Sequence, residues 1–302
     1  MSHARTKRRA VLPATMAAAA VLAGTSVTLG ASAGGCVAEA TPMCTTAPGQ
    51  HDSVILFRGI TFTREDMGVS DGFDLDGRVS DRGDAQTCRK ADFTSSDGRM
   101  GIDNQISQLL PIIEEQTGGL RLDDVLQTAI DNGQLLIAIE LLGVDDPMND
   151  PCVTVRLRPV AGTPLLGTDG RVLPGQTFDL EPEGEVTTVE GATLTDGVLE
   201  LGPAPVALPV QILDARFTLH VEDSRIRLVR ADDGTWQGVL GGGISVDEMI
   251  MVAQGLTIPS DLMGAVMLVL RTYADLGRDA EGDCQAISAT LAVDGVTAFL
   301  YE

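Results

Sequence analysis

Residues 134–244 combine short segments of alternating apolar and polar side chains with Asp-Gly pairs that separate them. The pairs fall at residues 169–170, 196–197 and 233–234. Asp and Gly tolerate the positive φ of a tight hairpin turn, so the pairs predict turns between antiparallel strands. From residue 217 to residue 222 apolar and polar side chains alternate strictly, which is typical of a strand with one buried face. This part of the chain therefore predicts an antiparallel β-meander.

Further strands and several helices are predicted on either side of the meander. β-branched and apolar runs predict strands at residues 53–63, 134–144, 152–160 and 286–301, the last as a hairpin that turns at Asp294-Gly295. Helical spacing predicts helices from residue 106, at 122–130, at 246–254 and at 259–276. Together these elements predict an α+β fold, largely an antiparallel β-sheet or sandwich with a few packed helices.

Two of the predicted helices carry a further expectation. Pro111 lies inside the helix that begins at residue 106, and proline lacks the N–H that a helix interior uses, so the helix should kink or split there. The helix at 259–276 is apolar on nearly all sides between residues 262 and 270. A helix without a polar face is normally buried, so this one is predicted to lie in the core.

The first 35 residues have the pattern of an export signal. Basic residues begin the chain, an uncharged apolar run follows at residues 11–29, and Ala31-Ser32-Ala33 fits a cleavage site. Residues 36–50 are small and polar and predict a tether. Residues 51–302 are then expected to form a single α+β domain, with residues 51–160 and 161–302 as the alternative division into subdomains.

Five cysteines constrain the maturation of the chain. Cys36 follows Ala33-Gly34-Gly35, which resembles the lipobox of bacterial lipoproteins except that Ala33 replaces the usual Leu. A lipid on Cys36 would leave an even number of cysteines for two disulfides, whereas cleavage after Ala33 would leave Cys36 unpaired in the tail. The four other cysteines allow three pairings. The expected disulfides are Cys44–Cys88 and Cys152–Cys284.

Residues 71–104 form an acidic, glycine-rich stretch that predicts a long ordered loop. Calcium prefers the carboxylate and carbonyl oxygens that such a loop offers. The candidate ligands are Asp74, Asp76, Asp81, Asp92, Asp97 and Asp103. The stretch is not an EF-hand, because no Glu closes it and its glycines are misplaced. The alternative interpretation is that these Asp side chains form turns and helix caps by accepting hydrogen bonds from nearby backbone N–H groups.

Charge and composition disfavour several classes of function. The formal net charge of −22 would repel a phosphate backbone, so nucleic acid is not an expected partner. One Trp and two Tyr give few platforms for bases or sugars. A G-x-S-x-G match at residues 68–72 lacks the strand and helix of a nucleophile elbow. Beyond the export signal only His51 and His220 are histidines, which disfavours a zinc hydrolase.

Short motifs resemble a group of uncharacterised exported proteins and lipoproteins of myxobacterial-type bacteria. They are the Ala-Gly-Gly-Cys ending at Cys36, the run 74–77, Cys88, and the residues 91–93, 97–98 and 101–105. The resemblance implies export and a location in the bacterial cell envelope, either periplasmic or as an outer-membrane lipoprotein. It implies no activity.

The leading hypothesis is a non-enzymatic binding or structural module of the envelope. It would be held at the membrane by lipid on Cys36, would meet an unknown protein or envelope partner, and would contain no cofactor other than structural calcium in the acidic loop. One alternative is a hydrolase that uses carboxylates of the loop. The other is a carrier that holds an apolar ligand between the sheet and the helix at 259–276.

Overall fold

In the computed structural model the described residues are Cys44 and residues 48–116, 118–212, 215–255 and 260–301. They belong to one compact unit. The predicted signal at residues 1–35, the lipidation site Cys36 and most of the tether at 36–50 lie outside the described residues.

The described residues form a largely antiparallel sheet with a few packed helices, so the predicted α+β fold is confirmed. The strands are β1 (Ser53–Phe62), β2 (Phe93–Thr94), β3 (Met100–Ile102), β4 (Ile137–Leu142), β5 (Asp150–Ala161), β6 (Thr177–Leu180), β7 (Thr187–Thr195), β8 (Val198–Ile212), β9 (Ala215–Arg230), β10 (Trp236–Ser245), β11 (Leu276–Arg278) and β12 (Cys284–Tyr301). The helices are α1 (Ile106–Gln116), α2 (Leu122–Asp131), α3 (Val246–Gly255) and α4 (Ser260–Tyr273).

Eight strands close into a ring by antiparallel pairing. The order around it is β1, β12, β10, β9, β8, β7, β5 and β4, and β4 pairs with β1 to complete it. The Asp-Gly pair at 196–197 makes the tight turn between β7 and β8, where both residues have positive φ as predicted. A closed sheet of eight strands has an interior that side chains can just fill, or that can hold one small ligand.

Strand pairing around the ring is incomplete between β5 and β8, and we call this place the seam. Strand β7 pairs with β8 only at residues 198–200, although β8 continues to Ile212 beside β9. On the other side, β7 pairs with β5 as far as Leu157, and β6 takes over at Val160. Among the described residues, the second half of β8 therefore has a strand partner on one side only.

The helices contribute their apolar stripes to the core. Helix α1 buries Ile106, Leu109 and Leu110, and α2 buries Ala129 and Ile130. Pro111 does not split α1, which runs from Ile106 to Gln116 with the proline on its exposed side. The buried contacts of Leu109 and Leu110 hold the helix to the core next to the proline.

The predicted hairpin turn at Asp294-Gly295 is wrong. Strand β12 passes through both residues without interruption and pairs with β10 on one side and β1 on the other. The glycine has a packing role instead, because a Cβ at position 295 would lie 2.6 Å from Cγ2 of Ile55. A glycine inside a strand commonly marks such a close approach.

The prediction that the last helix is buried is also wrong. Helix α4 exposes Leu268, which is 68% exposed, while Leu270 of the same helix is buried. The helix contacts α3 and β12, and these contacts leave part of its apolar surface exposed.

Both pairs of cysteines form disulfides, but the predicted pairing is wrong. Cys44 bonds to Cys152 and Cys88 bonds to Cys284, with Cα atoms 5.1 and 5.9 Å apart. The prediction joined cysteines in order along the chain, whereas the closed sheet sets the true neighbours. The tail at Cys44 lies against the β5–β7 pair, where the N–H of Gly191 contacts its sulfur at 3.1 Å.

Two disulfides indicate an oxidising compartment outside the cytoplasm. Among the described helices, none combines the length and the hydropathy needed to cross a bilayer.

Candidate functional site

An apolar cavity of about 200 Å³ lies between the closed sheet and the helices. Nineteen residues line it, and every one is apolar. They come from six strands of the ring, from α1, α2 and α3, and from the connection between α2 and β4, and they are Ile60, Phe62, Ile106, Ile113, Leu122, Val125, Leu126, Leu135, Ile137, Leu208, Phe217, Leu219, Val221, Leu240, Ile244, Met249, Val252, Ala289 and Leu291.

Strand alternation and helix periodicity direct these side chains into the cavity. On β9 the cavity side consists of Phe217, Leu219 and Val221, the alternating set that the sequence predicts for a half-buried strand. On α2, Leu122, Val125 and Leu126 lie one turn apart on one face. The chemistry available in the cavity is therefore burial of apolar surface.

The carrier hypothesis placed an apolar site between the sheet and the helix at 259–276, whereas this cavity lies between the sheet and α1, α2 and α3. The cavity is bounded by Met249 and Val252 of α3, and no described residue of α4 lines it. Helices α1, α2 and α3 contact strands of the ring, and α4 contacts α3 and β12.

The acidic loop brings together three of its six predicted ligands. Carboxylate oxygens of Asp74, Asp76 and Asp103 all lie within 4.8 Å of one another, and this group could hold a metal ion. The hydrogen bonds described for them use one oxygen of each carboxylate. Oδ1 of Asp74 accepts from the N–H of Gly77, at 2.7 Å, and Oδ2 of Asp103 accepts from that of Leu75, also at 2.7 Å.

Burial and mutual repulsion disfavour full ionisation of this carboxylate group. Burial is the largest cause that raises the pKa of Asp103, to about 8, and the charges of Asp275, Asp92 and Asp76 add to it. Burial also raises the pKa of Asp76 above its ordinary value. A cation or a proton would relieve the repulsion.

The other three predicted ligands lie outside that group and bond to nearby polar groups. Oδ1 of Asp81 accepts from the N–H of Gly83 at 2.6 Å, and Oδ2 of Asp92 accepts from that of Ser80 at 2.5 Å. Asp97 binds the guanidinium of Arg99 at 3.0 Å. Burial raises the pKa of Asp92 to about 6, whereas the Ser95 hydroxyl and Arg99 lower that of Asp97 to about 2. The interpretation as a turn-forming side chain fits Asp81, whose bond spans two residues, whereas Asp92 bonds across twelve positions and Asp97 bonds to a side chain.

Asn104 ties the loop to the sheet, a role that the sequence did not suggest. Its side chain is fully buried, and its Nδ2 donates to the carbonyl and hydroxyl of Thr63 and to Ser70 Oγ at 2.8–3.1 Å. Its Oδ1 accepts from the N–H of Thr290 on β12. A polar residue directly before a helix predicts a helix cap. The residue type alone does not show whether its side chain caps the helix or joins a buried network of hydrogen bonds.

Ser70 of the G-x-S-x-G match is part of this buried network. Its Oγ accepts from Asn104 at 2.8 Å and donates to the carbonyl of Asp71 at 3.3 Å. His220 contacts Glu248 at 2.7 Å, and this hydrogen bond raises the pKa of the imidazole. The partners of Ser70 therefore explain a buried structural serine, and none of them is a base.

Comparisons with protein-family models, with curated protein sequences and with solved structures found no match.

Proposed function

We propose that this protein is a non-enzymatic binding protein that holds an apolar ligand in the cavity between its closed sheet and its helices. The observation that supports this function is the apolar lining of a cavity of about 200 Å³. Ligand sites in proteins are concave and mostly apolar, and small closed sheets use their interior in this way.

The size and the apolar lining of the cavity support a ligand rather than a structural void. An apolar cavity of about 150 Å³ is already large enough to bind benzene. Well-packed cores contain few voids larger than one water molecule, because empty space forfeits dispersion contacts. A folded protein that keeps this cavity therefore gains stability when an apolar molecule fills it.

The proposed setting is the bacterial cell envelope. Cleavage of residues 1–35 and a lipid on Cys36 would place the domain at a membrane, where apolar ligands reside. The two disulfides support export. Mass spectrometry of the mature N-terminus tests the anchor, because a diacylglyceryl group on Cys36 supports it and a free amine at Gly34 contradicts it.

A cavity-filling substitution tests the ligand function. In calorimetric titrations with octanol, the mature protein should bind, and Val125→Trp should weaken the affinity at least about tenfold because the indole occupies the space. Thr128→Trp is the matched control, since Thr128 is exposed one turn later on α2 and does not line the cavity. Equal binding by all three proteins, or binding by none, contradicts the proposed function.

We propose, second, that the carboxylates of Asp74, Asp76 and Asp103 bind calcium and stabilise the acidic loop. Their mutual distance and the raised pKa of Asp103 support a cation there. Calcium at about 100 times its dissociation constant should add roughly 2.7 kcal/mol to the free energy of unfolding.

The calcium proposal is tested by thermal unfolding with millimolar calcium and with EGTA. The calcium-dependent rise should disappear in the double variant Asp74→Asn, Asp76→Asn. It should persist in Asp81→Asn, Asp97→Asn, which makes the same change of charge outside the group. A rise that both double variants retain contradicts this site. The hydrolase hypothesis stays a prediction of the sequence, and turnover that is lost in the first double variant alone would support it.

A further inference from the structure

A second cavity, of about 570 Å³, opens on the outside of the closed sheet at its seam. We call it the acidic cleft. Its walls are β5 at Pro159 and Val160, the connection between β6 and β7, β8 at Ala207, and the start of β9. The cleft occupies the gap that β7 leaves where it stops short of the second half of β8.

The acidic cleft and the apolar cavity are separated by a single layer of chain. Along β8, Ala207 lines the cleft and the next residue, Leu208, lines the cavity. Before β4, Leu136 lines the cleft while Leu135 and Ile137 line the cavity. Among the described residues, only Phe217 lines both spaces. Phe217 is therefore the described position at which the outside cleft and the apolar interior adjoin.

Three carboxylates set the charge of the cleft. Glu181, Glu183 and Glu185 line it, and no Lys or Arg does. Glu185 lies 3.5 Å from the imidazole of His220. No ion pair in the described part of the chain includes Glu181 or Glu183.

The connection that carries these glutamates is fixed to β5. The N–H of Glu181 donates to the carbonyl of Pro159 at 3.4 Å, and that of Gly184 donates to the carbonyl of Glu181 at 3.0 Å. A Cβ at position 184 would lie 2.2 Å from Cγ of Pro159, so only glycine permits this approach. The turn therefore holds its carboxylates beside the gap in the sheet.

We propose that the ligand is a cationic amphiphile, and this inference rests on the proposed function. Its apolar tail occupies the cavity, its protonated amine lies in the acidic cleft, and the two parts meet at Phe217. An apolar space and a negatively charged space that adjoin at Phe217 match those two parts of one molecule. A ligand with a carboxylate or phosphate headgroup would instead meet three like charges, which a complementary site avoids.

The test compares three probes with one tail: octylamine, octanol and octanoate, each titrated below its solubility limit at low ionic strength. Octylamine should bind about tenfold more tightly than octanol, and octanoate more weakly than both. In the double variant Glu181→Gln, Glu183→Gln the preference for the amine should fall to about threefold or less, while the affinity for octanol stays unchanged. The matched control is Glu115→Gln, Glu190→Gln, which removes two exposed carboxylates that do not line the cleft and should leave the preference intact.

The outcomes separate the two proposals. Equal binding of the three probes, or tighter binding of octanoate, overturns the cationic ligand while the apolar binding function stands, provided that Val125→Trp still weakens binding at least about tenfold. Binding of no probe overturns both. A preference that the two double variants lose equally overturns the role of the cleft, because it would then reflect the overall charge of the protein.

Discussion

Replacing Cys88 and Cys284 by serine should lower the free energy of unfolding by about 5 kcal/mol. The bond joins residues 196 positions apart. The entropy that a cross-link removes from the unfolded chain grows with the length of the loop that it closes, and a loop of this length lies at the upper end of the range. Urea unfolding of the oxidised wild type and of the double variant measures the difference.

The second disulfide is the matched control for this prediction. Cys44 and Cys152 are 108 positions apart, so their replacement should cost nearly as much by the same entropic argument. The variants should differ in local protection, because only Cys88 lies in the loop at 71–104. Trypsin should cleave after Arg82 and Arg89 faster in the Cys88→Ser, Cys284→Ser variant alone. Equal cleavage in both variants, or a loss of stability under about 1 kcal/mol, contradicts the prediction.

Patterns that span a few residues predicted the sheet well. Alternation along β9 indicated which side chains point inward, and Asp196-Gly197 indicated a tight turn, because both signals depend on local backbone geometry. Asp294-Gly295 has the same two residue types but forms no turn. There the glycine serves a close approach of β1, and the sequence does not show which strand will lie beside it.

Features that depend on ring closure were not predictable from the sequence. The apolar stripe of α2 was visible, but its position over the cavity follows from the pairing of β1 with both β4 and β12. The same closure brings Cys284 to Cys88, two cysteines that the order of the chain does not suggest as partners. Pairings between distant strands have no signature in a single sequence, because any two strands of suitable pattern can form them.

The acidic loop shows how backbone register selects among equivalent residues. Six Asp side chains were equal candidates for calcium. The bridge between Phe73 and Asp103 brings the end of the loop back to its beginning, so Asp103 meets Asp74 and Asp76. Asp81 and Asp97 lie in turns elsewhere along it. The sequence identified the right stretch, and the register identified the three residues.

The stability of the calcium-free protein should fall as pH rises, and Asp103 should cause much of the fall. Burial raises the pKa of this carboxyl from 3.8 to about 8. The folded protein therefore binds the proton more tightly than the unfolded chain does. The contribution of Asp103 to the free energy of unfolding is complete below the pKa of the unfolded chain and is lost as the pH rises through the pKa of the folded protein. Between about pH 5 and about pH 9, the loss is on the order of 4 kcal/mol.

Urea unfolding in EGTA across that pH range, with wild type and Asp103→Asn, measures the contribution of this group. The amide stays neutral, so the variant should lose less stability with rising pH, although Asp275, whose pKa burial raises to about 7, titrates in both proteins. Asp97→Asn is the control. Ser95 and Arg99 lower the pKa of that exposed carboxyl to about 2, so its titration lies below the range, and the control should follow the wild type. Parallel curves for wild type and Asp103→Asn would mean that Asp103 is ionised when the protein folds.

Millimolar calcium should flatten the wild-type curve of stability against pH, because a cation bound to the three carboxylates stabilises their ionised form and replaces the proton.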